Sequence, residues 1–299
     1  MNKTKKLFKA DNIGWLYVLP ALVFICYFVV YPILSNFILS MQDVTVMTLT
    51  KPDKPFVGFQ NYVTLLKDPV LNIAAVNTLK FTIWCLLFQF VIGFALALFF
   101  NQNFSMSRPV RGILMMPWMI PITITALMFR FMFSTGVGII NQALLAAGLI
   151  TSPIDWLVTP SSAMFALIVA NIWIGIPFNM ILLSTGLTII PKELYESASI
   201  DGAGKISAFF RITLPLLRPV IESVLILGFI YTFKVFDVVY VMTGGGPTNS
   251  TQVLSTYSYK LSFELFRYSQ GAATANILFI MLFVVGLVYL NFAYNDKEG

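Results

Sequence analysis

The feature that most constrains this chain is the length of its stretches without a charged residue. Asp11 and Asp43 enclose 31 uncharged residues, Lys80 and Arg108 enclose 27, and Arg111 and Arg130 enclose 18. Asp155 and Lys192 enclose 36, and Arg267 and Asp296 enclose 28. A helix needs about 20 mostly apolar residues to cross the hydrocarbon core of a bilayer. A soluble domain has no use for five such runs. Only 11% of the 299 residues are charged and 58% are hydrophobic, where ordinary soluble domains carry about 25% charged residues. The chain reads as an all-α polytopic membrane protein.

A sixth, weaker span runs from about Pro219 to Met242 and holds Glu222, Lys234 and Asp237. The six expected transmembrane helices cover roughly 14–39, 73–101, 110–133, 162–187, 219–242 and 272–294. The apolar segment Gly138–Ile150 is too short to cross, and flanking glycines with Pro153 mark it as an interfacial or re-entrant helix.

Lysine and arginine bias sets the topology. With the N-terminus inside, cytoplasmic segments hold 11 basic residues: Lys3, Lys5, Lys6, Lys9, Arg108, Arg111, Lys192, Lys205, Arg211, Arg218 and Lys297. Outer segments hold five, namely Lys51, Lys54, Lys67, Lys260 and Arg267. Both termini are therefore expected in the cytoplasm. Residues 1–13 form a cytoplasmic N-terminus, 14–299 a single transmembrane domain, and 188–218 the inner loop between spans four and five. The first span follows a basic head but lacks a small-residue cleavage site, so it reads as an uncleaved span and not a signal peptide. No linker or internal repeat is visible.

Several chemistries fall away. Without histidine, histidine-based triads and histidine-containing metal sites are excluded. Cys26 and Cys85 both lie in apolar runs and read as packing thiols. Two glycine clusters imitate phosphate loops. Gly202-Ala203-Gly204-Lys205 lacks the earlier glycine and has Ile206 where Ser or Thr is required. Gly244-Gly245-Gly246-Pro247 has no following lysine and reads as a tight turn. No catalytic residue and no metal ligand is assigned. The net charge of +6 follows from topology and does not imply nucleic-acid binding.

The most informative stretch is the inner loop from Ile190 to Pro219. Pro191 suits a first helical position, Glu193 and Glu196 suit the first turns, and Gly202 a stop. A second helical pattern starts near Lys205, with Phe209, Ile212 and Leu216 spaced by three or four and Pro215 and Pro219 punctuating it. Two short helices with a glycine bend are expected. Leu194 and Ala198 form a narrow apolar stripe beside Tyr195, Glu196 and Ser199. Such a helix can sit in a groove of another protein or lie on lipid headgroups, and periodicity does not choose between them.

Glu196-Ser197-Ala198, then Gly202, Ile212 and Pro215, resembles the Glu-Ala-Ala loop of ABC-importer permeases, with Ser197 in place of the first alanine. Segments 56–69, 114–133, 171–203 and 233–251 are similar, in the same order, to sugar-importer membrane subunits of the maltose/glycerol-phosphate class. The resemblance implies an ATP-driven permease subunit in a bacterial plasma membrane that moves a carbohydrate, expected to be an oligosaccharide, by alternating access. It implies that 192–204 is a coupling helix docking on an ATPase, with Glu193, Leu194, Glu196, Ala198, Asp201, Gly202, Ile212 and Pro215 as coupling residues. The implied partners are a second permease in a heterodimer, two cytoplasmic ATPase subunits and an extracellular solute-binding protein. ATP and Mg would bind the ATPase, leaving this chain without a cofactor or catalytic role. The Gly244–Pro247 turn is implied to lie exposed near the binding-protein interface.

Polar residues inside the spans are candidates for the substrate path. Asn171, Gly175 and Asn179 recur on one face of span four, which serves either tight helix packing or a hydrophilic path. Lys234 and Asp237 are three apart on span five and are expected to form an ion pair, with a substrate contact as the alternative that keeps Lys234 among the path candidates. Tyr231, one turn away, suits stacking on a sugar face. Pro117, Pro121 and Pro177 are expected to break their helices and free carbonyls to line a cavity. The competing reading is an ion-coupled secondary transporter of a small polar solute. It expects buried carboxylates and repeated halves, which this chain lacks. A membrane sensor would need a signalling domain.

Overall fold

The computed structural model describes residues 10–51, 53–102 and 106–295. The N-terminal Lys3, Lys5, Lys6 and Lys9, most of the expected 1–13 segment, and Lys297 lie outside the described residues. The described chain is helical throughout, apart from one antiparallel bridge between Gln42 and Phe56. In order come α1 (Ala10–Ile25), α2 (Tyr31–Ser40), α3 (Val46–Leu49), α4 (Gln60–Leu66), α5 (Pro69–Phe100), α6 (Ser107–Leu114), α7 (Met116–Met119) and α8 (Ile122–Met132). Then follow α9 (Ile139–Ala146), α10 (Pro160–Ile189), α11 (Lys192–Ile200), α12 (Lys205–Ala208), α13 (Leu214–Phe233), α14 (Asp237–Met242), α15 (Leu254–Tyr259) and α16 (Tyr268–Asn295).

Five continuous helices are long and apolar enough to cross a membrane: Tyr17–Ser40, Pro69–Phe100, Pro160–Ile189, Lys205–Phe233 and Tyr268–Asn291. The sixth expected span is not straight. Pro109–Met119 and Ile122–Met132 meet at 95°, so the span expected at 110–133 is a bent pair. Ile120 and Pro121 are extended at the corner, because a proline ring pushes the residue before it out of helical geometry and donates no hydrogen bond.

Other prolines behave differently. Pro177 sits inside α10 without breaking it. Pro215 and Pro219 do not punctuate the second loop helix, which runs without interruption from Lys205 into the fifth span. A π turn at Phe209–Thr213 precedes them, and its wider winding displaces the carbonyls that the Pro215 ring would otherwise strike. That span ends early. The helix stops at Phe233, and α14 starts separately at Asp237, so the expected span 219–242 is shifted toward lower numbers.

Two compact units are present. One comprises residues 10–67 and 258–277 among those described. Here the first span leaves its apolar side chains exposed, including Cys26, which is no packing thiol within this chain. Buried polar groups join its segments. Asn36 Nδ2 donates to Asn276 Oδ1 at 2.6 Å, Asn276 Nδ2 donates to Tyr62 Oη at 3.0 Å, and Tyr62 Oη lies 2.8 Å from Ser40 Oγ.

The other unit comprises 68–257 and the rest of α16. Its frame is the pair α5 and α10. Cys85 Sγ faces the Ile168 carbonyl, Gln89 Nε2 donates to the Asn171 carbonyl at 2.8 Å, and Gly93 lies against Asn179. Numbers rise together, so the two helices run in the same direction. The chain must therefore return from one end to the other between Phe100 and Pro160, and the bent segment carries that return. Helix α13 runs the opposite way against both, with Gly228 beside Leu86 and Gly186 of α10 beside Leu217 and Val220. Cys85 is buried in a core with Phe81, Ala126, Phe129, Leu167 and Val239.

The short apolar segment after the bent pair forms α9, held by fully buried Asn141. Its amide donates to the carbonyls of Thr135 and Ile154 and accepts from Ile154 N and Trp156 Nε1. The 244–247 turn is not simply exposed: Gly245 is buried against Gln252, and Asn77 of α5 donates to the Ser250 and Gln252 carbonyls.

Contact between α5 and α10 depends on glycine. A Cβ on Gly175 would overlap the Gln89 carboxamide, and one on Gly93 would stand 2.5 Å from Asn179 Cβ. At Gly93 the atoms met are Asn179 Cβ and Met180 N, which cannot swing aside, and overpacking of this kind costs about 1–3 kcal/mol. Gly93→Ala should therefore lower the melting temperature of the detergent-solubilised protein more than Gly175→Ala, which displaces only the mobile Gln89 carboxamide. Equal melting of Gly93→Ala and wild type would show that the helices do not meet here.

Candidate functional site

A cavity of ≈ 450 Å³ opens where the bent segment, α10 and the end of α13 converge. All four residues expected on a substrate path, Asn171, Asn179, Tyr231 and Lys234, line it. They arrive by different routes. Asn171 and Asn179 share a face of α10 with Gly175, eight residues being two turns and a little more. Tyr231 comes from the last turn of α13, and Lys234 from the break that follows it.

The cavity has an aromatic wall. Trp118 and Phe178 lie 6.5 Å apart, and Phe178 meets Tyr231 edge-on at 5.8 Å. Lys234 Nζ sits 5.4 Å from the Tyr231 ring centroid, a distance at which the ring quadrupole attracts a cation. Among the described residues no ion pair joins Lys234 to Asp237. The expected spacing holds only in an unbroken helix, and here the chain is out of helical geometry from Lys234 to Phe236, which has φ −130°. Both charges line the cavity instead.

Besides these two charges, the polar lining is mostly neutral amide: Gln89, Asn171 and Asn179. Asn179 Nδ2 donates to the Gly175 carbonyl at 2.9 Å, while its buried Oδ1 has no hydrogen-bond partner among the described residues. Gln89, absent from the sequence expectations, lines the same cavity. Its signal was available as a lone amide in the apolar run around Leu86–Ile92. Trp118 and Phe178 carried no signal, since aromatic residues in a span read first as packing. Of the three prolines expected to break helices, Pro121 does so at the corner, and Pro117 lines the cavity beside it.

The second site is the inner loop. Pro191 precedes α11 as its N-cap and does not open it. Glu193 lies in the first turn. The end is a Schellman closure: Gly202, at φ +80°, donates to the Ser199 carbonyl at 3.1 Å, and Ala203 donates to the Ala198 carbonyl at 2.8 Å. Tyr195 Oη lies 2.9 Å from Thr213 Oγ1 and fastens α11 to the helix beyond the bend. Tyr195 and Ile212 pack on a core of Leu183, Leu187, Ile190 and Leu217.

Of the residues expected to couple, Glu193, Leu194, Glu196, Asp201, Gly202 and Pro215 are exposed. Ala198 is half-buried, and Ile212 faces the core. The surface also presents two apolar residues that the pattern Leu194–Ala198 did not reveal. Ile200 is 88% exposed and Ile206 76%, one on each side of the glycine bend. Gly202 and Gly204 have open space around them, so they serve the bend and not a close contact.

Residues 89–296 match the family described as binding-protein-dependent transport system inner membrane component. The trehalose/maltose transport system permease protein MalF of Thermococcus litoralis is 36% identical over 97% of this chain and 96% of its own length. The lactose transport system permease protein LacF of Rhizobium radiobacter is 36% identical, with coverage of 96% and 95%. Among solved structures, a chain of a bacterial ABC transporter involved in import of the acidic polysaccharide alginate superposes with a TM-score of 0.82 at 27% identity, covering 99% of both chains. The helices, their bent segment and these likenesses agree: this chain is a multi-pass membrane protein and belongs to the binding-protein-dependent transport system inner membrane component family, the permeases of ABC transporters.

Proposed function

We propose that the chain is the non-catalytic permease half of a sugar importer, passing an oligosaccharide through the 450 Å³ cavity by alternating access. The observation that carries this reading is a single continuous element joining the two sites. Lys205–Phe233 is one continuous helix of 29 residues, about 43 Å long at 1.5 Å per residue. It starts at the glycine bend beside α11 and ends at Tyr231 and Lys234 in the cavity wall. Movement of α11 reaches that helix through the Tyr195–Thr213 contact and is delivered to the cavity without an intervening hinge.

The carbohydrate reading is supported by the wall chemistry and by the names of the relatives, which move trehalose, maltose and lactose. An aromatic ring offers its face to the C–H side of a sugar, and neutral amides satisfy its hydroxyls. In this reading both termini are cytoplasmic, which puts the exposed Leu194, Glu196, Ile200 and Ile206 toward two ATPase subunits that bind ATP and Mg. A second permease completes the pathway, and an extracellular solute-binding protein delivers the sugar. A solved relative of 26% identity and TM-score 0.81 was captured with a pentasaccharide-bound periplasmic protein. Ion-coupled transport has no support in family or relatives.

Two outcomes are expected in proteoliposomes holding the whole complex. Tyr231→Ala and Asn179→Ala should each reduce sugar uptake at least about fivefold, the loss of roughly one hydrogen bond or stacking contact, while assembly is unchanged. Normal uptake by both across a substrate titration would make these residues packing elements. Gly202→Val, which forces a β-branched residue to positive φ at a cost of about 1–2 kcal/mol, should insert normally but lose ATP-driven uptake. Wild-type uptake rates in that variant would remove the coupling role from the bend.

A further inference from the structure

Outside the cavity, a groove of ≈ 600 Å³ runs along the outer side of α5 and α10. On α5 it is lined by Lys80, Trp84, Phe88 and Ile92, an unbroken i, i+4 series. On α10 it runs from Ser161 past Phe165 and Ile168 to Ile172. Its polar groups are those of Lys80 and Ser161 and the Trp84 indole N–H one turn on, and all stand toward the same end, since the two helices run in the same direction.

We propose that this groove holds one anionic phospholipid, with its phosphate at Lys80 and Ser161 and one acyl chain laid between the helices. Four observations identify the occupant. The twelve-residue advance from Lys80 to Ile92 is about 18 Å, close to the roughly 15 Å depth of one leaflet, half of a hydrocarbon core about 30 Å thick. Lys80 is exposed and has no ion pair among the described residues, so its charge is available to an anion. Trp84, one turn deeper and stacked on Phe88 at 6.0 Å, has the place of an interfacial tryptophan below a headgroup. The walls are wrong for a neighbouring helix. Helix contacts in membranes use small residues, and the glycines of these two helices, Gly93, Gly175 and Gly186, all face other helices of this chain, with Ser161 the one small residue in the groove. The groove is left with Trp, Phe, Met, Ile and Val, which accommodate a flexible chain.

The test uses the intact complex with p-benzoylphenylalanine in place of Phe88, reconstituted in vesicles of phosphatidylcholine with 20% phosphatidylglycerol (about one lipid in five, enough to give an anionic surface). After irradiation, intact-mass analysis of this chain is expected to show a phosphatidylglycerol adduct enriched at least about fivefold over its share of the membrane. Lys80→Gln should bring that enrichment below about twofold, the direction expected when a cation–phosphate contact is removed. Ile168→Trp, which fills the groove, should abolish the adduct with either lipid while the complex still assembles. An adduct with another protein chain overturns the proposal, as does enrichment that survives both substitutions. So does a wild-type chain that labels lipids only in proportion to their abundance.

Discussion

The close approach of α5 and α10 at Gly93 and Gly175 is the contact on which the larger unit depends. In a bilayer there is no hydrophobic gain from bringing two apolar helices together, so association rests on van der Waals contact and on hydrogen bonds between helices. Both are present here. Two glycines remove the side chains that would hold the backbones apart, and Gln89 bonds across to the Asn171 carbonyl. The same bond fixes a carboxamide at the cavity wall. Packing and site are thus one arrangement: the polar face of α10 neither serves packing alone nor lines a path alone.

From the shared direction of these two helices the rest of the architecture follows. The segment between them has to travel back, and it does so with a right-angle corner at Pro121. Pro215 and Pro219 have the same four-residue spacing as Pro117 and Pro121, with the opposite outcome. The difference lies in what touches the chain. Around the second pair, Leu217 and Val220 are pressed against Gly186, and a π turn absorbs the ring. Around the first, Trp118 and Met119 are largely exposed, and the contact that is made, Trp118 on Phe178 of α10, is to another helix across the cavity wall and does not brace the corner. Proline makes a break available, and tertiary contact decides whether it is taken.

This explains what could be read in the amino-acid sequence. Charge-free runs, Arg111 to Arg130 excepted, located four of the five long helices, because lipid demands length and apolarity whatever the packing. The fifth, Lys205–Phe233, holds charged residues and was expected about ten residues too far along the chain. Gly202 was legible as a helix stop, since a left-handed position favours glycine wherever it occurs. Asn171, Asn179, Tyr231 and Lys234 were legible as a group because polar residues in spans are costly and few. The break at Lys234–Phe236 was not legible: no glycine or proline marks it, and the spacing of Lys234 and Asp237 suggested an ion pair. Ile200 and Ile206 escaped because they lie on either side of the bend, where helical periodicity no longer relates them.

The distribution of satisfied and unsatisfied groups bears on what the cavity can do. A translocation site must bind well enough to admit its cargo and poorly enough to release it. The coupling loop is closed on itself, with its carbonyls capped and Tyr195 fastened, which suits a part that must move as a body. The cavity is the reverse. Among the described residues, buried Asn179 Oδ1 has no hydrogen-bond partner, Tyr231 is exposed, and Lys234 meets the Tyr231 ring face without an ion pair. In the proposed reading, the Tyr231 face and the Lys234 ammonium turn to a sugar at little net cost. Tight selection would work against passage there, and it is better placed in the binding protein that delivers the substrate. Under that reading, a cavity of amides, aromatic faces and one charge of each sign accepts what is delivered, and the continuous helix behind it sets when the cargo leaves.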